Sequence, residues 1–558
     1  MCLLKFSRTI ESLRVKEAAA VNKSLMALTN VIMSLSREER SKRRRRGGAC
    51  VQMSPKSDLH CLSSMDMEVC LPSGRTCWVQ LSSATPLREL KLAAQRRFQR
   101  RFLRLVAQGR ALDLDATLGE AGLGDDPVIA VAQHAELAAT DFAFALYVAG
   151  GSVVTWGNPR HGGDSGEVRQ QLAQVREIQA SRGAFAAIRE DGLVISWGHP
   201  KLGGNSSKVQ EQLTCVRRVQ ASRGAFAALR EDGTVVTWGD PDLGGDSSGV
   251  REQLTQVLEI QANRGAFAAL RADGTVVTWG HTDHGGNSGE VQEELTRVRQ
   301  IQGAAGAFDR MGAAFAAIRE DGSVITWGKP DVGGDSSEVQ DQLIGVREIQ
   351  ASTGAFAAIR EDGTVITWGH PSYGGNSSEV QPQLTCVRQI HGAAGVFHHI
   401  VAAFAAIRED GTVITWGSSA QGGDSSEVQE QLSCVRQIQS SDAAFAAIRA
   451  DGTVITWGHS ARGGNSRDVQ EQLTRVRQIQ ASRGAFAALR QDGTVVTWGA
   501  PDLGGDSSGV REQLTRVLEV QANRGAFAAI REDGTLIAWG HVGDGGDVTR
   551  IQNELDLL

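Results

Sequence analysis

The chain has 558 residues, a formal charge of −6 and 41% hydrophobic residues. It is too long for one ordinary domain of about 100–200 residues, and no run approaches the roughly 18 apolar residues of a membrane span. Charge is uneven: residues 1–135 carry 22 Lys and Arg against 13 Asp and Glu, and the remainder 36 against 51. The acidic remainder is a poor general binder of nucleic acid, whose phosphates need cations.

Residues 1–76 read as a helix-like segment, a basic cluster and a disordered linker. Val21, Leu25, Leu28 and Ile32 recur at three- and four-residue spacing, which predicts one apolar helical stripe. Residues 13–35, L-R-V-K-E-A-A-A-V-N-K-S-L-M-A-L-T-N-V-I-M-S-L, resemble the kinesin motor stretch that leads into and includes the switch II helix. No GxxxxGK[ST] loop accompanies them to cradle a nucleotide, so the resemblance implies a stranded fragment rather than a motor. Lys42–Arg46, K-R-R-R-R, reads either as a nuclear-import or nucleic-acid patch or as a solvated charge run. The start of the chain lacks the pattern of a secretory signal. Eight cysteines form no CxxC pair, and Cys215, Cys386 and Cys434 share a repeat position where siblings carry Arg, Gln or Gly. This usage suits a reducing compartment, the cytoplasm or, if the basic run acts, the nucleus.

Residues 77–135 predict a small α+β domain. Alternation at Trp78–Leu81 predicts a strand. Thr85-Pro86 opens a helix whose apolar face is Leu87, Leu90, Ala94 and Phe98. Phe102–Val106, a turn at Gly109-Arg110, and Val128–Val131 supply further strands. This order, with L-R-L-V-A-Q-G-R-A-L at 103–112 and Thr117-Leu118, resembles ubiquitin and implies a β-grasp fold. There is room for only one clear strand before the helix, so the usual initial hairpin is not expected. Val106 and Val131 correspond to ubiquitin's partner-binding apolar patch, and read equally as strand core. No Gly-Gly terminus follows Val131, so conjugation is not expected.

Residues 140–558 hold ten repeats. Trp-Gly recurs at Trp156, Trp197, Trp238, Trp279, Trp327, Trp368, Trp416, Trp457, Trp498 and Trp539, in steps of 41 residues except two of 48. Phe144, Phe185, Phe226, Phe267, Phe315, Phe356, Phe404, Phe445, Phe486 and Phe527 each lie twelve residues earlier. Such a period means stacked supersecondary units. Each unit reads A-F-A-A-I-R-E-D-G-T-V-I-T-W-G, predicting two apolar strands joined at Asp-Gly, then a loop ending G-G-[D/N]-S, then V-Q-x-Q-L-x-x-V-R-x-I-Q with a short helical turn and a strand. Apolar residues on both faces of the hairpin predict sandwiched sheets, with alanines for close approach and one Phe and one Trp per unit as core.

These units resemble RCC1 repeats, and the resemblance implies a β-propeller or an open, superhelical blade array. The family includes chromatin-bound exchange factors and parts of HERC-type ubiquitin ligases. The family's G-Q-L-G after Trp-Gly is replaced here by G-G-[D/N]-S, the units are short, and ten do not match the family's seven blades. One closed ring, a seven-bladed ring with three surplus units, and an open array all remain open. The first hairpin has no preceding V-R-x-I-Q strand, and the strand at Val128–Gln133 lies at about the spacing to substitute for it.

Comparison among siblings locates variation. His199, His281, His370 and His459 after Trp-Gly accompany Asn205, Asn287, Asn376 and Asn465, whereas other residues there accompany Asp164, Asp246, Asp335, Asp424 and Asp506. The alternation reads as duplication of pairs, or as a His–Asn hydrogen bond. Two units carry seven-residue inserts, near 303–312 and 392–401. Phe308 and Phe397, with His398 and His399, are the leading candidates for binding a protein partner, since inserts gather on one face of repeat arrays. No catalytic triad, metal cluster or cofactor motif is evident. The pattern points to a non-enzymatic interaction scaffold, with an adaptor in the ubiquitin pathway, a HERC-type ligase component, and an RCC1-type exchange factor as alternatives.

Overall fold

In the computed structural model each repeat becomes one three-stranded antiparallel sheet, and ten such sheets follow in chain order. The structure describes residues 64–558 except 71–75, 99–102, 108–109, 113–115, 122, 124–127, 133–134, 149–150, 305–311, 394–400 and 556–558. The kinesin-like stretch and the basic cluster at Lys42–Arg46 lie outside the described residues. The chain divides into two units, Met1–His134 and Ala135–Leu558.

In the first unit, β1 (Ser64–Cys70), β2 (Thr76–Ser82), β3 (Leu103–Ala107), β4 (Arg110–Ala111) and β5 (Val128–Ala132) form one sheet in the order β2-β1-β5-β3-β4. Helix α1 (Leu87–Phe98) contributes Leu87, Leu90, Ala94 and Phe98 to a core with Met67, Val69, Leu105, Val128 and Ala130. Two expectations are corrected. The initial hairpin exists, with Val69 opposite Cys77, and its first strand begins inside the stretch assigned to linker. The cause is a period-two pattern, S-M-D-M-E-V-C, that buries Met67 and Val69 against the helix. Nor does the strand at 128–133 serve the repeats: β5 pairs with β1 and β3.

The second unit opens with β6 (Ala135–Ala139), β7 (Ala143–Val148) and β8 (Val153–Gly157), the first blade. Strand β6 is therefore the inner strand of the first hairpin, although A-E-L-A-A shares none of the V-R-x-I-Q signature. In every blade the V-R-x-I-Q strand or its equivalent is innermost, the A-F-A-A strand is in the middle and the Trp-Gly strand is outermost.

Middle and outer strands meet in register, with Phe directly opposite Trp, as in Phe356↔Trp368. Their turn is a three-residue connection. Thr364 N–H and hydroxyl both donate to Asp362 Oδ1, at 2.9 and 2.6 Å, while Gly363 takes φ +77°. Only the glycine adopts positive φ, so the Asp-Gly signal works as a turn closed by a left-handed glycine rather than a two-residue loop. Arg360 turns back to the carbonyl of Ile344 and the carboxylate of Asp362.

Blades pack large against small. Ala355, Ala357 and Ile359 of blade 6 face Phe404, Ala406, Ile414 and Trp416 of blade 7, while Phe356, Ala358 and Trp368 face the alanines of blade 5. All ten phenylalanines have 0% exposure and the ten tryptophans 3–5%. Each Phe stacks on its Trp with centroids about 5.2–5.3 Å apart.

A hydrogen bond accompanies this packing. Trp197 Nε1–H donates to Gly162 O of the preceding blade's loop at 3.0 Å, and the pattern repeats through Trp539 to Gly504 at 3.1 Å. The tenth bond joins the last blade to the first: Trp156 Nε1–H of blade 1 donates to Gly545 O after blade 10, at 3.0 Å. The inner strand of blade 10 (Val517–Ala522) neighbours β6 as every inner strand neighbours the next. The ten blades thus close into one ring. Closure uses blade-to-blade packing, because each sheet is built from consecutive strands. Outside it, Arg169 meets Glu554 at 3.3 Å, an exposed pair of small energetic weight.

The accepting glycines test this closure. A Cβ on Gly162 would sit 2.6 Å from the Phe185 ring at φ +99°, and one on Gly545 would sit 2.8 Å from the Phe144 ring at the same φ. Gly162→Ala and Gly545→Ala should each destabilise the second unit by about 2 kcal/mol, measured by chemical denaturation. A clearly smaller cost for Gly545→Ala would mean that blade 1 is not its neighbour.

Candidate interaction face at the mouth of the ring

The turn from inner to middle strand sits at one end of every blade. In blade 2, Ala184 N–H donates to Ser181 Oγ at 3.1 Å, and Ser181 Oγ–H donates to Leu202 O at 2.8 Å. The loop after Trp-Gly is thereby tied over the turn. Gly183 has no room for a side chain, since a Cβ would meet His161 at 2.5 Å and Leu202 at 3.1 Å.

The residue two places before the middle strand varies: Asp141, Arg182, Arg223 and Arg264 in blades 1–4, Thr353 in blade 6, and Asp442, Arg483 and Arg524 in blades 8–10. Blades 5 and 7 carry the inserts at the same turn, between Ala304 and Ala314 and between Ala393 and Ala403. Neighbouring turns are bonded to one another. Asp141 N–H donates to Arg182 O at 3.1 Å, Arg182 N–H to Arg223 O at 3.0 Å, and Arg223 N–H to Arg264 O at 3.0 Å. Asp442 N–H and Arg483 N–H continue the pattern to Arg483 O and Arg524 O, each at 3.2 Å.

These bonds draw half-buried charges together. Arg182 pairs with Asp141 at 3.5 Å and Arg483 with Asp442 at 3.8 Å. Arg182 and Arg524, from the blades flanking blade 1, lie over the Phe142 ring at 5.8 and 5.3 Å. Burial, reinforced by the Arg182 guanidinium, lowers Arg223 to about 10. Burial and the Arg223 guanidinium do the same for Arg264. Burial pushes the Asp442 carboxyl up to about 7 against the pull of Arg483 and Arg462.

The loops after Trp-Gly begin at this end. His281 Nδ1 accepts from Asp283 N–H and His370 Nδ1 from Ser372 N–H, each at 3.2 Å, where blade 3 uses Asp240 Oδ1. The fifth loop position caps a separate turn: Asn205 Oδ1 accepts from Ser207 N–H and Asp335 Oδ1 from Ser337 N–H. In blades 4 and 6 His281, Asn287, His370 and Asn376 each satisfy the backbone two residues on rather than one another, whereas His199 of blade 2 makes no such cap. The serine of G-G-[D/N]-S is structural as well. Ser336 Oγ–H donates to Gln340 Oε1, and Gln340 Nε2 reaches Val324 O.

Phe308, Phe397, His398 and His399 lie outside the described residues, although both ends of their inserts stand at this mouth. Val106 is half-buried opposite Ile129, on the face of the small sheet away from α1, and Val131 pairs with Arg104 in β5. The arginine turns were not singled out from the sequence. Their signal was the recurrent S-R-G and N-R-G at equal repeat positions.

The opposite end of the ring is latched differently. Arg347 donates to Val387 O at 2.7 Å and Arg388 O at 3.3 Å in the next blade, and Arg176, Arg217, Arg299, Arg388, Arg436 and Arg477 repeat this. Cys215, Cys386 and Cys434 are exposed there at φ 51–53°, which explains their exchange with Arg, Gln and Gly: only the backbone is used. Among the described residues no group of three His, Cys, Asp or Glu could hold a metal.

One buried and one half-buried histidine give a pH signature. His284 is 3% exposed and lowered to about 4 by burial, then by His281 and Arg264. His391 is lowered to about 4 by burial, then by Arg388. Both pKa values lie below their unfolded value, so the stability they confer is complete above about pH 6.5 and is lost as pH falls towards 4. Siblings carry Leu and Gln at these places. His284→Leu with His391→Gln should therefore flatten the fall in unfolding free energy between pH 6.5 and 4 by about 1–3 kcal/mol. An unchanged slope in denaturant titrations would contradict this.

No protein-family profile matches the chain, and no curated protein matches it. Solved structures resembling it include Prp20p from Saccharomyces cerevisiae, a protein with binding properties to Gsp1p and histones, at 14% identity and a TM-score of 0.33, covering 70% of this chain and 91% of that one. Yeast RCC1 (Prp20) bound to Kap60 is 18% identical with a TM-score of 0.28, covering 45% and 71%. The computationally designed Ika8 protein is 18% identical with a TM-score of 0.27, covering 58% and 96%.

Proposed function

We propose that the chain is a non-enzymatic protein-interaction scaffold whose ring offers one mouth to a protein partner. The observation that carries this reading is a division of labour among repeat positions. Residues that hardly vary, such as the Phe, the Trp and the loop glycines, are committed to contacts between blades. Several positions that vary, namely the inner-to-middle turns, the first residues after Trp-Gly and the flanks of both inserts, share one end, whereas the varied Cys, Arg, Gln and Gly position at the other end uses only its backbone. A rigid frame with variable loops at one end is an arrangement that supports binding.

Replacing residues 305–313 and 394–402 by the Thr-Gly pair of the blade 6 turn restores a sibling turn length in blades 5 and 7. The melting temperature should stay within about 3 °C of the original, while capture of a protein partner weakens at least tenfold by surface plasmon resonance. A wild-type chain that retains no protein saturably would contradict the scaffold reading, and unweakened capture by the shortened chain would contradict the assignment of the inserts.

For the first unit we propose a ubiquitin-like docking module. The order β2-β1-β5-β3-β4 around one helix, with β1 parallel to β5, supports it. So does the half-buried pair of Ile129 and Val106 on the face opposite the helix. An adaptor role in the ubiquitin pathway rests on this unit. Val106→Asp should leave its helix content unchanged by circular dichroism and abolish retention of ubiquitin-binding domains. Retention equal to wild type would contradict the module's role.

A further inference from the structure

At the end of the ring opposite the mouth, sibling blades differ in charge at one place. The residue after the middle strand's arginine donates its N–H to the carbonyl of the residue before the inner strand: Glu320 to Arg297, Glu532 to Arg516 and Gln491 to Arg475, at 2.8, 2.8 and 2.9 Å. In blades 5 and 10 this brings a carboxylate to the arginine, with Arg297–Glu320 at 3.3 Å and Arg516–Glu532 at 3.1 Å. Blade 9 presents the same exposed arginine, Arg475, to the uncharged amide of Gln491. Two more exposed arginines belong to this place. Arg436 of blade 8 donates through Nη2 to Val476 O at 2.8 Å and Arg477 O at 3.3 Å, so its guanidinium is held beside the backbone that carries Arg475 and Arg477. Acid is thinned in the same sector. Ala450 stands in blade 8 where blade 7 has Glu409, and Gln437 and Gln478 stand where blades 2, 4, 6 and 10 have Glu177, Glu259, Glu348 and Glu519. The turn carboxylates Asp451 and Asp492 are already held by Arg449 and Arg490, at 3.7 and 3.5 Å.

We propose that Arg436, Arg475 and Arg477 form a docking site for a phosphate monoester borne by a partner protein, that is, a phosphorylated serine or threonine side chain. Two of the three guanidiniums are pinned on backbone carbonyls, Arg436 as above and Arg477 on Leu518 O at 2.6 Å, so they lose little freedom on binding. A dianion with three terminal oxygens takes charge-assisted bonds from several guanidinium forks at once, whereas one fork satisfies a carboxylate. The site is also local. Acid returns in blade 10 with Glu519 and Glu532 and in blade 7 with Glu409, and residues 136–558 carry 51 acidic against 36 basic side chains. An extended polyanion such as nucleic acid would run onto this repelling surface, while a single phosphoryl group stays within the sector. The site lies away from the mouth and needs neither insert, so its failure leaves the reading above intact.

The test is calorimetric titration of the full chain, at neutral pH and 0.15 M salt, with a capped peptide of one phosphoserine flanked by alanines. The wild type should bind it saturably, and more tightly than the serine or aspartate peptide or inorganic phosphate. Arg475→Gln, whose side chain takes no part in the latches, should weaken binding at least threefold. Gln491→Glu should weaken it at least tenfold, because it supplies the carboxylate of blades 5 and 10 while leaving every arginine in place. Both variants should melt within about 3 °C of the wild type. Arg299→Gln, a latch in blade 5, should bind as the wild type does. The proposal is overturned by absence of saturable binding, by wild-type affinity in Arg475→Gln or Gln491→Glu, or by equal loss in Arg299→Gln. It is overturned equally if the serine or aspartate peptide, inorganic phosphate or a short thymidine oligonucleotide binds at least as tightly as the phosphopeptide.

Discussion

The ring depends on one repeated contact, in which the Trp of each blade donates its indole N–H to a glycine carbonyl in the loop of the blade before. The bond spans only 2.9–3.1 Å at all ten sites. Its geometry demands a left-handed residue whose Cα lies against the neighbour's Phe ring, and only glycine fits there. The same contact requires small side chains on the opposing middle strand, which is why alanines recur. A buried indole N–H without its acceptor would cost more than the bond contributes, so any drift of this loop is penalised at every blade.

This contact also explains how the last blade meets the first. Blade 10 presents Gly545 to Trp156 just as other blades present their glycines, so closure needs no special device. A ring of ten leaves its inner strands lining the axis, where arginines bridge to the next blade's carbonyls at one end and turn residues are bonded together at the other. Since packing and buried hydrogen bonds fix the frame, the exposed ion pairs contribute little, and the loops at the mouth are free to differ.

Much of this was legible in the sequence. The 41-residue period, Asp-Gly and two-faced apolar alternation define a three-stranded blade without reference to coordinates. Other features were hidden for identifiable reasons. Strand β6 escaped because alanine is a poor strand marker and its signature residues are missing. Strand β1 was legible, since Met65, Met67 and Val69 alternate with Asp66 and Glu68, but a polar, period-free context masked it. Closure was not legible, because blade count alone does not determine the angle between sheets. The charged mouth was hidden because its residues lie about 41 positions apart and meet only once the ring is formed.

The closed ring of ten is the claim on which the shared mouth rests. Electron cryo-microscopy of the purified chain tests it directly in views down the axis. Class averages should show ten blades with no gap between the first and the last. An open arc, or a seven-bladed ring with three further blades outside it, would contradict the account.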